Sequence, residues 1–129
     1  MRIGELAKVS QVPDKTIRYY ETVGLLPASE RDANGYRVYG QQDLERLVFI
    51  RRCRDLRIPL EQIKLLVSVQ ADKTASCRAV DRIIHDQLEK VRHTLEELKA
   101  LEITLGALGR CDRSTVDECK ILRQLKNTA

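Results

Sequence analysis

The chain has 129 residues, a net charge of +4 and a pI near 9.0, with 43 % hydrophobic and 33 % charged residues. That is one domain, or one domain with an arm, and it is too charged for a membrane protein. No apolar run exceeds the four residues Leu47 to Ile50, against the ~20 needed to span a membrane and the roughly 7–15 of a signal peptide. The expected compartment is the cytoplasm, where thiols stay reduced. Four cysteines there read as ligands, reactive thiols or buried residues rather than a disulfide frame. The five rings, Tyr19, Tyr20, Tyr36, Tyr39 and Phe49, all fall in the first 49 residues, whereas Cys53, Cys77, Cys111 and Cys119 lie later. The two ends are therefore expected to do different jobs.

In chain order, residues 3–9 form a short helix with Ile3, Leu6 and Ala7 on one face. Ser10 to Pro13 is a turn. Pro13-Asp14 suits the start of a second helix, Asp14 to Val23, which stops at Gly24. Two short helices joined by a tight turn make a helix-turn-helix. Residues 31–39 hold Asn34-Gly35 followed by alternating Tyr, Arg, Val and Tyr, which reads as a hairpin or wing. Tyr36 and Val38 share one face, Arg37 and Tyr39 the other.

Gln41 to Leu56 is a strong helix, with Leu44, Leu47, Val48 and Phe49 inward. Pro59 opens another, Leu60 to about Val69, and a polar loop over 70–76 follows. Between Cys77 and Leu108, Ile84, Leu88, Val91, Leu95, Leu98, Leu101, Leu105 and Leu108 step by 4, 3, 4, 3, 3, 4 and 3. This is close to a heptad seam. The ~37 Å from Ile84 to Leu108 is too long a seam to bury inside so small a chain, so a second copy is expected to cover it. Arg110 to Glu118 is a loop, and Ile121 to Leu125 a last short helix. The expected division is a head over 1–74, a dimerisation helix over 75–109 and a loop with its short helix over 110–129.

Lys15, Thr16, Arg18 and Tyr19 fall within five residues on the second helix, and Arg31, Tyr36 and Arg37 lie on the wing. Lys and Arg neutralise phosphates, Arg also reads guanine, and hydroxyls position the backbone. From charge alone an ordinary solvated face, with one ring tucked into the core, explains these residues as well. The motif decides. Thr16-Ile17-Arg18-Tyr19-Tyr20-Glu21-x-x-Gly24-Leu25-Leu26, with Gly35-Tyr36-Arg37-Val38-Tyr39, strongly resembles the mercury-resistance-regulator (MerR) family. Ile3-Gly4-Glu5-Leu6-Ala7, Leu47-x-Phe49-Ile50-Arg51-Arg52 and Pro59-Leu60-x-x-Ile63 extend the resemblance over the whole chain.

The resemblance implies a mainly α fold: a winged helix-turn-helix and a long antiparallel coiled-coil dimerisation helix. It implies a homodimer on palindromic promoter DNA that activates transcription by distorting the DNA for RNA polymerase. Its DNA-facing residues, carried over by position, are Lys15, Thr16, Arg18, Tyr19, Arg31, Tyr36 and Arg37, with Arg54 as an added phosphate contact. Leu44, Leu47 and Ile63 are expected to stay in the core.

Cys53, mid-helix on the apolar side, reads as a small buried hydrophobe. Cys111 and Cys119 bracket a seven-residue polar loop that can fold two thiolates around one ion, and the metal-sensing branch of the family has paired cysteines in this place. In an antiparallel dimer, Cys77 of one chain neighbours Cys111 and Cys119 of the other. The branch sensing monovalent ions lacks a cysteine at the position of Cys77, so the resemblance points to a divalent ion. Three thiolates select soft or borderline ions. Phe49-Ile50-Arg51-Arg52-Cys53-Arg54 looks most like the lead and cadmium regulators, so Cd or Pb is favoured, then Hg or Zn. Asp112, Asp117 or Glu118 could add an oxygen ligand. His85 and His93 are expected on the solvent side of the coil. A thiol redox sensor on the same scaffold, with Cys111–Cys119 as its disulfide, is the alternative. An enzyme is not expected, because the chain has no C-x-x-C and no phosphate loop.

Overall fold

The computed structural model describes residues 1–110 and 115–127. They fall into two compact units, 1–87 and 88–129. The elements are α1 (Ile3–Ser10), α2 (Asp14–Thr22), β1 (Glu30–Arg31), β2 (Arg37–Val38), α3 (Gln41–Asp55), α4 (Leu60–Ala71), α5 (Arg78–Leu108), a 3-10 turn (Val116–Glu118) and α6 (Lys120–Asn127). Among the described residues no helix is long and apolar enough to cross a membrane.

The first unit is built around one apolar core. Leu6, Ile17, Leu25, Leu26, Leu47, Ile50, Ile58 and Ile63 are fully buried. Tyr20, Tyr39 and Cys53 join them, and from the first turns of α5 come buried Ile83 and half-buried Val80. Leu47 and Ile63 are core as expected, and Leu44 packs partly buried against it. The inward face of α3 is rotated from the expected one: Leu47, Ile50 and Cys53 are its buried residues, and Val48 is only half-buried. Spacings of three carry this face around the helix, which places Ile50 inside.

The turn between α1 and α2 is locked from α3. Gln11 caps α1 in the left-handed region, φ 61°, which an L-residue adopts at some cost. The Arg51 guanidinium offsets it, donating to the Ser10 carbonyl at 2.9 Å and to Gln11 Oε1 at 2.8 Å. The buried Ser10 hydroxyl accepts from Val12 N at 3.2 Å. Pro13 is the N-cap of α2, and its carbonyl accepts Ile17 N at 3.0 Å. At the other end Gly24, φ 79°, lets Leu25 N reach back to the Tyr20 carbonyl at 2.9 Å, with Gly24 N on the Glu21 carbonyl. This is a Schellman ending, and buried Leu25 is its apolar anchor.

α3 ends in the same way with Arg57, φ 64°, in the glycine position and buried Ile58 as anchor. Arg54 Nη1 donates to the Ile58 carbonyl at 2.8 Å. Gln87 Nε2, on α5, donates to the carbonyls of Leu56 (3.1 Å) and Arg57 (3.0 Å). Side chains thus satisfy carbonyls that a helix end leaves without partners.

The hairpin is a two-stranded antiparallel ladder, Glu30 opposite Val38 and Arg31 opposite Arg37. Its loop differs from a two-residue Asn-Gly turn. Gly35 N bonds to the Asp32 carbonyl and Asp32 N to the Tyr36 carbonyl, and only Gly35 takes a positive φ, 83°. Residues 33–35 therefore form a three-residue loop closed by a left-handed glycine. Asp32 Oδ1 accepts both Asn34 N and Tyr36 N, which fixes the bend.

α5 runs 31 residues, ~46 Å at the usual helical rise. Cys77 immediately precedes it, and its carbonyl accepts Asp81 N at 2.9 Å. The seven seam positions from Ile84 to Leu105 are 42–59 % exposed on a single chain. His85 is exposed, and His93 pairs with Glu97 one turn on at 2.7 Å.

Candidate functional site

The α2 helix and the hairpin carry the candidate nucleic-acid interface. Ile17 and Tyr20 anchor α2 in the core, so the intervening positions face outward. Lys15, Arg18 and Tyr19 are exposed and Thr16 is half-buried. The ring of Tyr19 is tilted 52° against that of Tyr20 at 6.3 Å. Of the two adjacent rings, one is core and one faces solvent. Burial holds the Tyr20 phenol above its ordinary value.

The hairpin follows the expected alternation. Tyr36 and Val38 point outward, while Arg37 and Tyr39 turn toward α2. They meet Glu21, whose side chain is only 9 % exposed. Tyr39 donates its hydroxyl to Glu21 Oε1 at 2.5 Å, and Arg37 Nη1 lies 3.1 Å from Glu21 Oε2. One carboxylate thus clamps the wing to the recognition helix through both its oxygens. Burial, then the bond to Glu21, pushes the Tyr39 phenol up from its usual value, so it stays a donor.

A cleft of about 410 Å³ opens between α2, the hairpin and the start of the chain, lined by Arg2, Ile3, Arg18, Arg31, Gly35, Tyr36 and Arg37. The structure brings Arg18, Arg31, Tyr36 and Arg37 together there. Lys15, Thr16 and Tyr19 lie on the same helix as Arg18 but do not line the cleft. Arg54 is exposed, with its guanidinium tied to the Ile58 carbonyl, so its first task is bracing the end of α3.

Two members of the interface escape a reading of the sequence. Glu21 looks like one more surface charge, and only the fold shows it held by Tyr39 and Arg37. Arg2 stands far along the chain from the wing, yet its guanidinium lies 4.0 Å from the Tyr36 ring centroid and 3.5 Å from Asp32 Oδ2. The basic character of position 2 was its only signal.

Of the candidate metal ligands, Cys77 is exposed at the start of α5 in the first unit. Cys119 is half-buried in the second unit. It lines a cleft of about 260 Å³ with Val116, Asp117, Leu122, Arg123 and Lys126. Cys111 lies outside the described residues, as do Asp112 and Arg113. Among the described residues of a single chain, no three His, Cys, Asp or Glu side chains gather around one point. Cys53 is buried, and burial raises its thiol above the usual value. It is the small core residue expected.

A recognition helix clamped to a basic wing defines a winged-helix DNA-binding protein. The family model described as MerR HTH family regulatory protein matches residues 1–70, and that described as MerR, DNA binding matches 44–108. The mercuric resistance operon regulatory protein of Bacillus cereus is 40 % identical over 126 residues, 96 % of each chain. The structure of the transcription regulator PbrR691 from Ralstonia metallidurans CH34 in complex with lead(II) superposes with a TM-score of 0.87 at 40 % identity, covering 97 % of this chain and 98 % of that one. The MerR regulator of Bacillus megaterium MB1 in complex with mercury(II) gives 0.68 at 38 % identity, covering 98 % and 99 %. This chain belongs to the MerR family of transcription regulators.

Proposed function

We propose that this metal-responsive transcription regulator works in the cytoplasm as a homodimer on double-stranded promoter DNA, with a soft divalent ion as its effector and RNA polymerase as its client. The observation that carries the DNA reading is the cleft where Arg18 of α2 meets Arg31 and Arg37 of the wing. Its guanidinium groups suit the sugar–phosphate backbone, while exposed Lys15 and Tyr19 and half-buried Thr16 on the same helix suit a groove. Arg37, paired with Glu21, has a positioning role first and contacts phosphate through the exposed remainder of its fork. The 1–74 head would do this work, 75–109 the dimerisation and 110–129 the metal sensing.

The exposed seam on α5 supports a second copy, because an apolar stripe of that length on a small chain gains by association. The proposed effector ligands are Cys77, Cys111 and Cys119, with the first donated across an antiparallel dimer. The donor chemistry fits: Cys77 is accessible, Cys119 and Asp117 line one cleft, and thiolates favour soft ions. Cd or Pb is favoured, then Hg or Zn. The lead(II) and mercury(II) complexes of chains at 40 % and 38 % identity support an ion of this class.

When bound, such an ion supplies sulfur–metal bonds that tie loop to helix. Cys77 is placed to pass that restraint on, because Val80 and Ile83 lie within two turns of it and pack into the head. Promoter distortion follows only if the thiolates hold the ion more tightly in the distorting arrangement than in the other.

Titration of the purified protein with Pb, Cd, Hg, Zn and Cu(I) against a competing chelator tests the ion class. Divalent soft ions should bind more tightly than Cu(I), and Cys77→Ser, Cys111→Ser and Cys119→Ser should each weaken them. Mixing Cys77→Ser with Cys111→Ser chains should restore one site per heterodimer, and no binding by that heterodimer overturns the shared site. Arg18→Ala should weaken DNA binding without changing ion affinity.

A further inference from the structure

We infer that Arg2 is a ligand of the DNA backbone, and that the cleft it shares with Arg18, Arg31 and Arg37 seats a phosphodiester. The inference rests on the DNA-binding reading above.

Arg2 is held at the wing by its backbone and by its side chain. Its carbonyl accepts Leu6 N at 3.0 Å as the first bond of α1, and the preceding carbonyl, of Met1, accepts Tyr39 N at 2.7 Å. The side chain is 58 % exposed. It lies over the Tyr36 ring, a cation–π arrangement that holds the guanidinium at the wing. Its ionic contact among the described residues, Nη2 to Asp32 Oδ2, is 3.5 Å, long beside the ~2.7–2.9 Å of a charge-assisted hydrogen bond. A guanidinium carries five N–H donors, so this contact leaves most of the fork to take another anion.

The charges around the cleft point the same way. Arg2, Arg18, Arg31 and Arg37 line it. Glu21 is committed to Arg37 and Tyr39, and Asp32 Oδ1 accepts the amides of Asn34 and Tyr36. Arg31 Nη1 donates to the Gly35 carbonyl at 2.8 Å, which stiffens the loop at the rim. Two carboxylates, Glu21 on Arg37 and Asp32 beside Arg2, thus stand against four guanidinium groups, and the excess is positive. An exposed, planar, bidentate cation set suits a phosphodiester. Tyr36 then acts through its ring as the positioning residue for Arg2.

The test measures affinity by fluorescence anisotropy on a duplex recovered by the wild-type protein from a randomised pool, at several KCl concentrations. Each phosphate contact contributes about 0.9 to the slope of log K against log salt. Arg2→Ala should lower that slope by about 0.9 per protomer. Arg2→Gln, which keeps the side-chain stem and loses the charge, should do the same if truncation disturbs folding. Tyr36→Ala should weaken binding, and Arg2→Ala added to it should cost less than it does alone. A wild-type slope in both Arg2 variants, with Arg18→Ala lowering it, removes Arg2 from the interface and leaves the DNA reading standing. Failure of the wild-type protein to recover any duplex removes the DNA reading itself.

Discussion

Truncating Glu21 to alanine should loosen the wing and destabilise the head together. Its carboxylate is 9 % exposed and accepts the Tyr39 hydroxyl at 2.5 Å, and Tyr39 itself is 2 % exposed. A hydrogen bond to a charged group is worth about 1.5–3 kcal/mol. The Arg37 partner is 37 % exposed, so solvent screening limits that ion pair to roughly 0.5 kcal/mol. The expected loss is about 2–3 kcal/mol, most of it from the buried hydroxyl left without an acceptor. Urea denaturation followed by circular dichroism measures it. Glu21→Gln should lose much less, because its amide oxygen still accepts from Tyr39. Adding Tyr39→Phe to Glu21→Ala should recover part of the loss, with a coupling of about 1 kcal/mol or more. A Glu21→Ala protein within about 0.5 kcal/mol of wild type, the scatter of ordinary surface changes, would refute the clamp.

Leu95→Asp on the α5 seam should weaken self-association at least a hundredfold by sedimentation equilibrium. Each Leu95 is 50 % exposed on one chain, so the dimer gains about 1 kcal/mol from each copy and loses more by burying a carboxylate. An unchanged association constant would move the interface elsewhere. In the native protein, iodoacetamide should modify exposed Cys77 quickly and Cys53 only on unfolding, because Cys53 is buried and its thiol is pushed up by that burial. Peptide mass mapping reads both, and rapid labelling of Cys53 would contradict its place in the core.

Much of the head was legible because its ends are punctuated chemically. Pro13, Gly24, Gly35 and Pro59 mark boundaries that the structure keeps to within a residue or two. The alternation after Gly35 placed Tyr39 and Arg37 on one face correctly. The clamp at Glu21 and the stacking of Arg2 were not legible. Both join residues distant along the chain, and neither follows a periodicity. The inward face of α3 was misplaced because Leu47-Val48-Phe49-Ile50 is apolar all round, and only packing against α1 and α4 chooses Ile50 over Val48. Arg54 shows a further limit: a positive charge near DNA-facing elements can be spent on a helix end, here the Ile58 carbonyl. The shared site of the three candidate thiols remains a proposal, because Cys77 and Cys119 lie in different units and Cys111 lies outside the described residues.

Ion binding by these thiols is proposed to drive transcription, and a reporter fused to the protein's own target promoter reads it out in cells expressing either wild-type protein or Cys119→Ser. Induction by Cd or Pb through the wild-type protein, lost with Cys119→Ser and not evoked by diamide, is the predicted result. Induction by diamide with no response to Cd, Pb, Hg or Zn would contradict the account and favour a thiol redox switch.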